Sequence, residues 1–191
     1  MQIVIPQLPD AIICLDGEFP EANFFSAFPG VPLIAADGAA LQLQKLALQP
    51  AVIIGDMDTL RASGSMHNFS DIPQLLVENQ DKTDYEKCLD YCLDNGLTAV
   101  LVCGVHGGEM EHSLNNWSIT IRYAEHLHLC LYDRGRYGLP LSVSAELPTQ
   151  PDDIISLIPQ PYVQLTTEGL HWPLTREELR LGAREGARNR A

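Results

Sequence analysis

Two aspartates one residue apart, Asp56 and Asp58, follow the apolar run AVIIG at residues 51–55. Carboxylates this close repel one another, and residues i and i+2 of an extended segment point to the same side, so the pair is expected to share one cation. Asp37 closes a second apolar run, VPLIAAD (31–37), while Asp81 and Asp84 stand at the mouth of a helix-patterned stretch, NQDKTDYEK (79–87). Mg²⁺ is typically held by one or two carboxylates together with phosphate oxygens and water, which is the ligand set on offer. The free N–H groups at the start of that helix and the Thr83 hydroxyl welcome a phosphate, and Lys87, one turn in from Asp84, can reach the same space. Taken singly, each acid has an ordinary explanation, since a G-D-x-D turn can bond its own backbone and T-D-x-E can simply cap a helix. Three acidic groups at successive strand or helix mouths point instead to a bound metal that neutralises them.

Positioning these groups requires a sheet. Short apolar runs alternate with helical patterns over the first two thirds of the chain, which predicts an α/β fold with a mostly parallel sheet and flanking helices. AIICL (11–15), VPLIAAD (31–37), AVIIGD (51–56), AVLVCG (99–104) and LHLCLYD (127–133) are the expected strands. The spacing predicts helices over 38–48, over 83–96 and from about 111 to 126. In the second, Tyr85, Cys88, Leu89, Cys92 and Leu93 form an apolar stripe, Thr83 and Glu86 fit a capping box, and Gly96 fits the position past the end. In the third, Leu114, Trp117, Ile121 and Ala124 share one face. Ligands of open parallel sheets bind outside the carboxyl ends of the strands, where the aspartates fall. After Asp133 the chain becomes rich in Pro, Gly and Thr with short period-2 stretches, so two domains are expected, 1–133 and a small all-β domain at 134–191. The second is short for an autonomous core and should lean on the first domain or on a second copy.

Composition narrows the function. Twelve Lys and Arg against 25 Asp and Glu give a formal net charge of -13, which disfavours nucleic acid and anionic lipid and suits a site completed by cations. The amino-terminal stretch lacks a basic start and a long apolar span, so neither a leader nor a membrane helix is expected, and the location is read as cytoplasmic. Five cysteines, none in a C-x-x-C pair, read as small buried hydrophobes. Neither G-x-x-x-x-G-K-[ST] nor G-x-G-x-x-G occurs, which removes support for a P-loop or a dinucleotide fold. GVHGGEMEH (104–112) is a glycine-rich loop that can let a nucleotide approach the backbone; the spacing of its His106 and His112 matches no familiar zinc pattern.

The segments ADGAALQL (36–43), PAVIIGDMDTL (50–60), NQDKTDYEKCL (79–89), GGEMEHSLNN (107–116), IISLIPQ (154–160) and TTEGLHWPL (166–174) resemble, in order and spacing, those of thiamin pyrophosphokinases. The resemblance implies an α/β catalytic domain followed by a sandwich-like β domain, a homodimer, and Mg²⁺-dependent transfer of a pyrophosphoryl group from ATP to the hydroxyl of thiamin, with release of AMP. It implies that Asp37 lies near the active site, that Asp56 and Asp58 bind metal, and that Gln80, Thr83, Asp84 and Lys87 handle magnesium, phosphates and the attacking hydroxyl. Gly107, Gly108 and His112 match the family's G-G-R-x-D-H loop, and these three together with Glu111, at the loop's aspartate position, are the expected nucleotide- or phosphate-binding residues there. A metal bridging phosphate oxygens, Lys87 offsetting developing charge, and Asp84 orienting or deprotonating the alcohol agree with the chemistry of the residues themselves.

Departures from the family pattern follow. Where members show G-G-R-x-D-H this chain has GGEMEH, so Glu109 replaces an arginine and Glu111 an aspartate; Lys82, Arg134 or Arg136 are the cations that could compensate. The family's closing Ser-Asn, associated with thiamin, is here Arg188-Asn189, and a last strand of typical members is not matched. Trp172 can stack on an aromatic ligand or simply pack. Arg176, Arg180, Arg184 and Arg188 recur every four residues, but Gly182 and Gly186 weaken a helix, and the resemblance implies strand and loop. Two other readings stay open: a relative that binds nucleotide or thiamin diphosphate without turnover, and a pyrophosphokinase or nucleotide hydrolase with another acceptor.

Overall fold

The computed structural model describes residues 8–191; residues 1–7, part of the expected first domain and of the stretch read against a leader, lie outside them. Seven strands form one sheet: β1 (Ala11–Cys14), β2 (Leu33–Ala36), β3 (Val52–Gly55), β4 (Gln74–Leu76), β5 (Ala99–Cys103), β6 (His128–Asp133) and β7 (Arg136–Gly138). Their spatial order is β4-β3-β2-β1-β5-β6-β7, parallel except for the β6/β7 pair. The helices are α1 (Ala22–Ser26), α2 (Ala39–Lys45), α3 (Asp58–Ala62), α4 (Asp84–Asp94) and α5 (Met110–Tyr123). Chain direction across the sheet reverses between β1 and β5, so the crevice beyond their carboxyl ends is the topological switch point of an open α/β sheet.

Both faces of the sheet are covered, which is why its strands read as continuous apolar runs. Alternate residues of one strand serve opposite cores: Ile13 and Leu15 pack with Tyr85, Cys88, Leu89 and Cys92 of α4 and Ile119 of α5. Ile12 and Cys14 pack with Phe24 and Phe25 of α1, Ala39 and Leu43 of α2, and Leu60 of α3. Ile13 and Ile54 are fully buried, so truncating either to alanine is expected to destabilise by about 2–5 kcal/mol. The five cysteines are free and buried, Cys14 and Cys103 opposite each other on β1 and β5.

Several elements depart from the sequence expectation. On α4 the stripe holds for Tyr85, Cys88, Leu89 and Cys92, but Leu93 lies toward solvent. On α5 the expected face holds only in part: Trp117 packs against the core and Ile121 and Ala124 are half-buried, but Leu114 is 64% exposed, and Ile119 and Thr120, outside that face, are the buried residues. Hydrogen bonding rotates the helix this way. Thr120 Oγ1 donates to the Asn116 carbonyl at 2.8 Å and shares a 3.0 Å hydrogen bond with the Tyr85 hydroxyl, so polar residues occupy the packed side without loss. The short elements α1, α3, β4 and β7 carry too few residues for a periodic signal. β7 follows a tight turn at Arg134 and Gly135 and pairs Asp133 with Arg136, so the main sheet continues past Asp133.

The chain divides into two compact units, the first ending at Val143 and the second covering Ser144–Ala191. The second contains β8 (Ile154–Leu157), β9 (Tyr162–Leu165), β10 (Glu177–Arg180) and β11 (Gly186–Arg190), as two antiparallel pairs, β9 with β10 and β8 with β11. Leu174, Leu179 and Asn189 are its buried residues of note. The arginine-rich tail is strand and turn: Arg184 pairs with Glu177 at 2.6 Å, Arg190 with Asp152 at 3.2 Å, and Arg180 lies 5.4 Å from the Tyr162 ring centre. Among the described residues no helix is long and apolar enough to cross a membrane.

Candidate active site

Three of the acidic groups singled out in the first unit meet at the carboxyl edge of the sheet, whereas Asp81 is exposed in the turn before α4, its amide donating to Asn79 at 2.8 Å. Asp37 follows β2, Asp56 follows β3, and Asp84 opens α4; carboxylate oxygens of these three lie within 4.8 Å of one another. Gly55 leaves room for the group. A side chain there would begin 3.0 Å from the Asp37 Cβ and 3.1 Å from the Asp84 carboxylate, filling the hollow between them. Three convergent carboxylates around a hollow that a single methyl would block fit a hard divalent cation such as Mg²⁺.

Asp58 does not join the cluster. The extended geometry expected over residues 56–58 is broken at Met57, whose left-handed backbone (φ 63°, ψ 21°) turns the chain into α3. Asp58 therefore starts a helix, and its side chain, 76% exposed, faces Arg61 at 3.3 Å. Asp37 takes its place in the group. Only 3% exposed, it accepts hydrogen bonds from the Thr59 and Leu60 amides at 2.9 and 3.2 Å, and so caps the first turn of α3 from another strand.

The remaining predicted residues divide between contact and support. Gln80 donates to Asp56 at 3.2 Å, and the Asp58 amide donates to the other Asp56 oxygen at 3.2 Å. These two bonds, the backbone one foremost, hold the Asp56 carboxyl below its usual range. Lys87 is nearly buried, at 3% side-chain exposure, and donates to Asp84 at 2.9 Å. Burial raises the Asp84 carboxyl above its usual range; Lys87 opposes this, and the charges of Asp56 and Asp37 add to it. Thr83 is engaged in the capping box, accepting from the Glu86 amide and donating to the Glu86 carboxylate, so it shapes the mouth of α4. Glu86 is further tied to Arg122 at 2.9 Å.

Around the switch point, Gly17, Gly104 and Gly107 allow two loops to touch. A Cβ on Gly17 would stand 2.1 Å from the His106 carbonyl oxygen, and one on Gly107 2.5 Å from the Glu18 Cβ. Gly107 and Gly108 are exposed at the start of α5, as are Glu111 and His112, and His112 faces Glu109 at 3.7 Å. Of the cations considered as replacements for a family arginine, Lys82 pairs with Asp90 at 2.5 Å and Arg134 holds Glu18 through two guanidinium nitrogens. Arg136 is exposed on β7.

Asp16 was not among the expected site residues. It follows β1 on the same edge of the sheet, beside the start of α2, and burial raises its carboxyl, with Gln42 opposing and Asp37 adding to the effect. The signal was present: CLDG (14–17) repeats the apolar-Asp-Gly pattern of AADG (35–38). In the second unit, Asn189 uses its side chain to clamp the backbone of Trp172, accepting from its amide at 3.1 Å and donating to its carbonyl at 2.7 Å. The indole so held is 58% exposed and stacks on His171 at 4.7 Å.

The chain is 27% identical over 190 residues to thiamine pyrophosphokinase 1 of Arabidopsis thaliana, a match covering 89% of this chain and 67% of that protein. Against thiamine pyrophosphokinase 1 of Oryza sativa subsp. japonica it is 28% identical over 187 residues, again covering 89% and 67%. Among solved structures, thiamin pyrophosphokinase from Candida albicans superposes with a TM-score of 0.77 at 14% identity, covering 100% of this chain and 88% of that one. Thiamine pyrophosphokinase from Bacillus subtilis gives 0.70 at 16%, covering 94% and 89%. These structural likenesses establish the shared fold. The sequence model of the thiamin pyrophosphokinase catalytic domain matches residues 31–131, a span that contains Asp37, Asp56, Asp84, Lys87 and the glycine loop. With more than half of its length under that model, the chain belongs to the thiamin pyrophosphokinase family.

Proposed function

We propose that this protein transfers a pyrophosphoryl group from ATP to the hydroxyl of thiamin, giving thiamin diphosphate and AMP, with magnesium held by Asp37, Asp56 and Asp84. The observation that carries the reading is the meeting of those three carboxylates around the hollow at Gly55, inside the span matched by the family's catalytic-domain model. Magnesium, when bound, supplies charge neutralisation for phosphate oxygens.

The chain's own residues supply positioning and electrostatics. Gln80 and the Asp58 amide fix the Asp56 carboxylate in its ionised form, ready to ligate. Lys87 has its ammonium anchored on Asp84, at the mouth of α4, where it can offset charge on the phosphates during transfer. Asp84, held by Lys87, is placed to orient the attacking hydroxyl as well as to hold the cation. A primary alcohol is a weak nucleophile, so in-line alignment with the β-phosphorus is the larger part of the task. Gly107 and Gly108 let the triphosphate approach the backbone at the start of α5, with Glu111 and His112 on its first turn, and Thr83 shapes the facing end of α4. Asp58 plays a lesser part, through its amide.

The second unit is proposed to bind thiamin, with the exposed Trp172 ring stacking on an aromatic ring of the substrate and Asn189 holding that ring in place. Its two-stranded sheets are too small to be stable alone, which supports assembly as a homodimer. Five free, buried cysteines suit a reducing cytoplasm, and the net charge of -13 gives no support to a nucleic-acid or membrane partner. Incubation with ATP, magnesium and thiamin should yield AMP and thiamin diphosphate in equal amounts. AMP formed only with water or with another acceptor, or tight nucleotide binding without turnover, would replace this reading.

A further inference from the structure

His106 sits in the glycine loop after β5 and joins three segments at the switch point. Its Nε2 lies 2.7 Å from the indole Nε1 of Trp117 on α5, the rings tilted by 35° with centres 5.7 Å apart. Its Nδ1 faces the Asp133 carboxylate, at the end of β6, at 3.5 Å. Its carbonyl accepts from the Glu18 amide, in the loop after β1, at 2.5 Å. Neighbouring contacts serve the same loop: Asn116 donates to the Val105 carbonyl at 3.0 Å, and Gly17 to the Gly104 carbonyl at 3.1 Å.

An indole N–H can only donate, so the contact with Trp117 requires a lone pair on Nε2. The imidazole is then neutral with its proton on Nδ1, toward Asp133. A proton on Nε2 would set one N–H against another, and the nearby Glu18 is already satisfied by Arg134.

We propose that His106, bonded through Nε2 to Trp117, is a positioning residue that fixes the glycine loop at the switch point for nucleotide binding. The role in nucleotide binding rests on the function proposed above; the tautomer and its coupling to Trp117 do not. The protein has two tryptophans, so an amide–indole correlation spectrum of the uniformly ¹⁵N-labelled protein contains two indole resonances, and Trp117→Phe assigns the one from Trp117.

In His106→Gln, which offers an amide oxygen to Trp117, the Trp117 resonance should keep its hydrogen-bonded position, whereas in His106→Leu it should move to a solvent-like one. For turnover, His106→Leu should raise the KM for Mg-ATP about tenfold, the scale of one lost hydrogen bond, with kcat changed less, and His106→Gln should bring the KM back to the wild-type value. A Trp117 resonance unmoved in His106→Leu, or moved equally in His106→Gln, overturns the tautomer and the coupling whether or not thiamin is the acceptor. A moved resonance in His106→Leu with the KM of the wild type overturns the role in nucleotide binding.

Discussion

Replacing Asp84 by asparagine separates the needs of the fold from those of the metal. Asp84 is held in a balance of opposed effects: burial and the charges of Asp56 and Asp37 disfavour its carboxylate, the bond from Lys87 favours it, and the net effect raises its carboxyl above the usual range. Asparagine has the same shape and keeps an oxygen for Lys87, but removes the charge. Without metal the variant should be as stable as the wild type or more so, by about 1 kcal/mol, the scale of relieving an unfavourable functional charge. For a chain of this length that is a rise of about 2–4 °C in Tm. Magnesium should show the reverse. Even outer-shell changes weaken metal sites by about 10–100-fold, and loss of a direct ligand should do at least as much. At a concentration about a hundred times the wild-type dissociation constant, bound metal contributes about 2.7 kcal/mol, and a hundredfold weaker site only about 0.4 kcal/mol. Thermal unfolding of both proteins with and without magnesium reads both quantities. A variant that unfolds earlier without metal yet keeps the full magnesium increment would mean that Asp84 serves Lys87 and not the cation.

The pH dependence has a definite sign. Because the folded carboxyl of Asp84 lies above its unfolded value of about 3.9, its contribution to the stability of the metal-free protein is full below that value and is lost as pH rises through the folded one. Magnesium needs the ionised form, so its increment should grow over the same rise in pH, and Asp84→Asn should flatten that growth. Asp56, whose carboxyl is lowered by the Asp58 amide and Gln80, contributes stability above the ordinary aspartate value that is lost as pH falls through the folded one.

Three further outcomes are expected. Asp56→Asn should abolish the magnesium-induced thermal shift, while Asp58→Asn, altering an exposed carboxylate paired with Arg61, should keep most of it; equal losses in the two would place Asp58 among the ligands after all. Glu109→Arg puts a cation at the start of α5, beside the glycine loop, and should tighten Mg-ATP binding severalfold in calorimetry while lowering stability by about 0.5 kcal/mol through the helix dipole. Gly17→Ala places a methyl 2.1 Å from a backbone carbonyl that has no freedom to yield, so a loss of at least about 2 kcal/mol is expected in denaturant unfolding; an unchanged midpoint would mean that the two loops are not in contact.

The sequence by itself determined the parallel sheet, because strands buried on both faces must be apolar throughout: all five expected strands are present, each trimmed by one to three residues. It determined the capped start of α4 for a similar reason, since Thr83 and Glu86 bond to each other's backbone within one turn of chain. Local pattern also brought Asp37, Asp56 and Asp84 to the correct edge of the sheet. What the pattern did not contain is any interaction between residues distant in the chain. The α3 helix exists because Asp37 caps it from 22 positions away, and that one contact turns Asp58 out of the cluster and brings Asp37 in. The packed face of α5 is likewise decided by Tyr85, which meets Thr120 across 35 positions and turns Leu114 to solvent. Periodicity records which residues can be buried together on one element; which of them are buried, and which carboxylates meet, depends on hydrogen-bond partners that only the folded chain brings within reach.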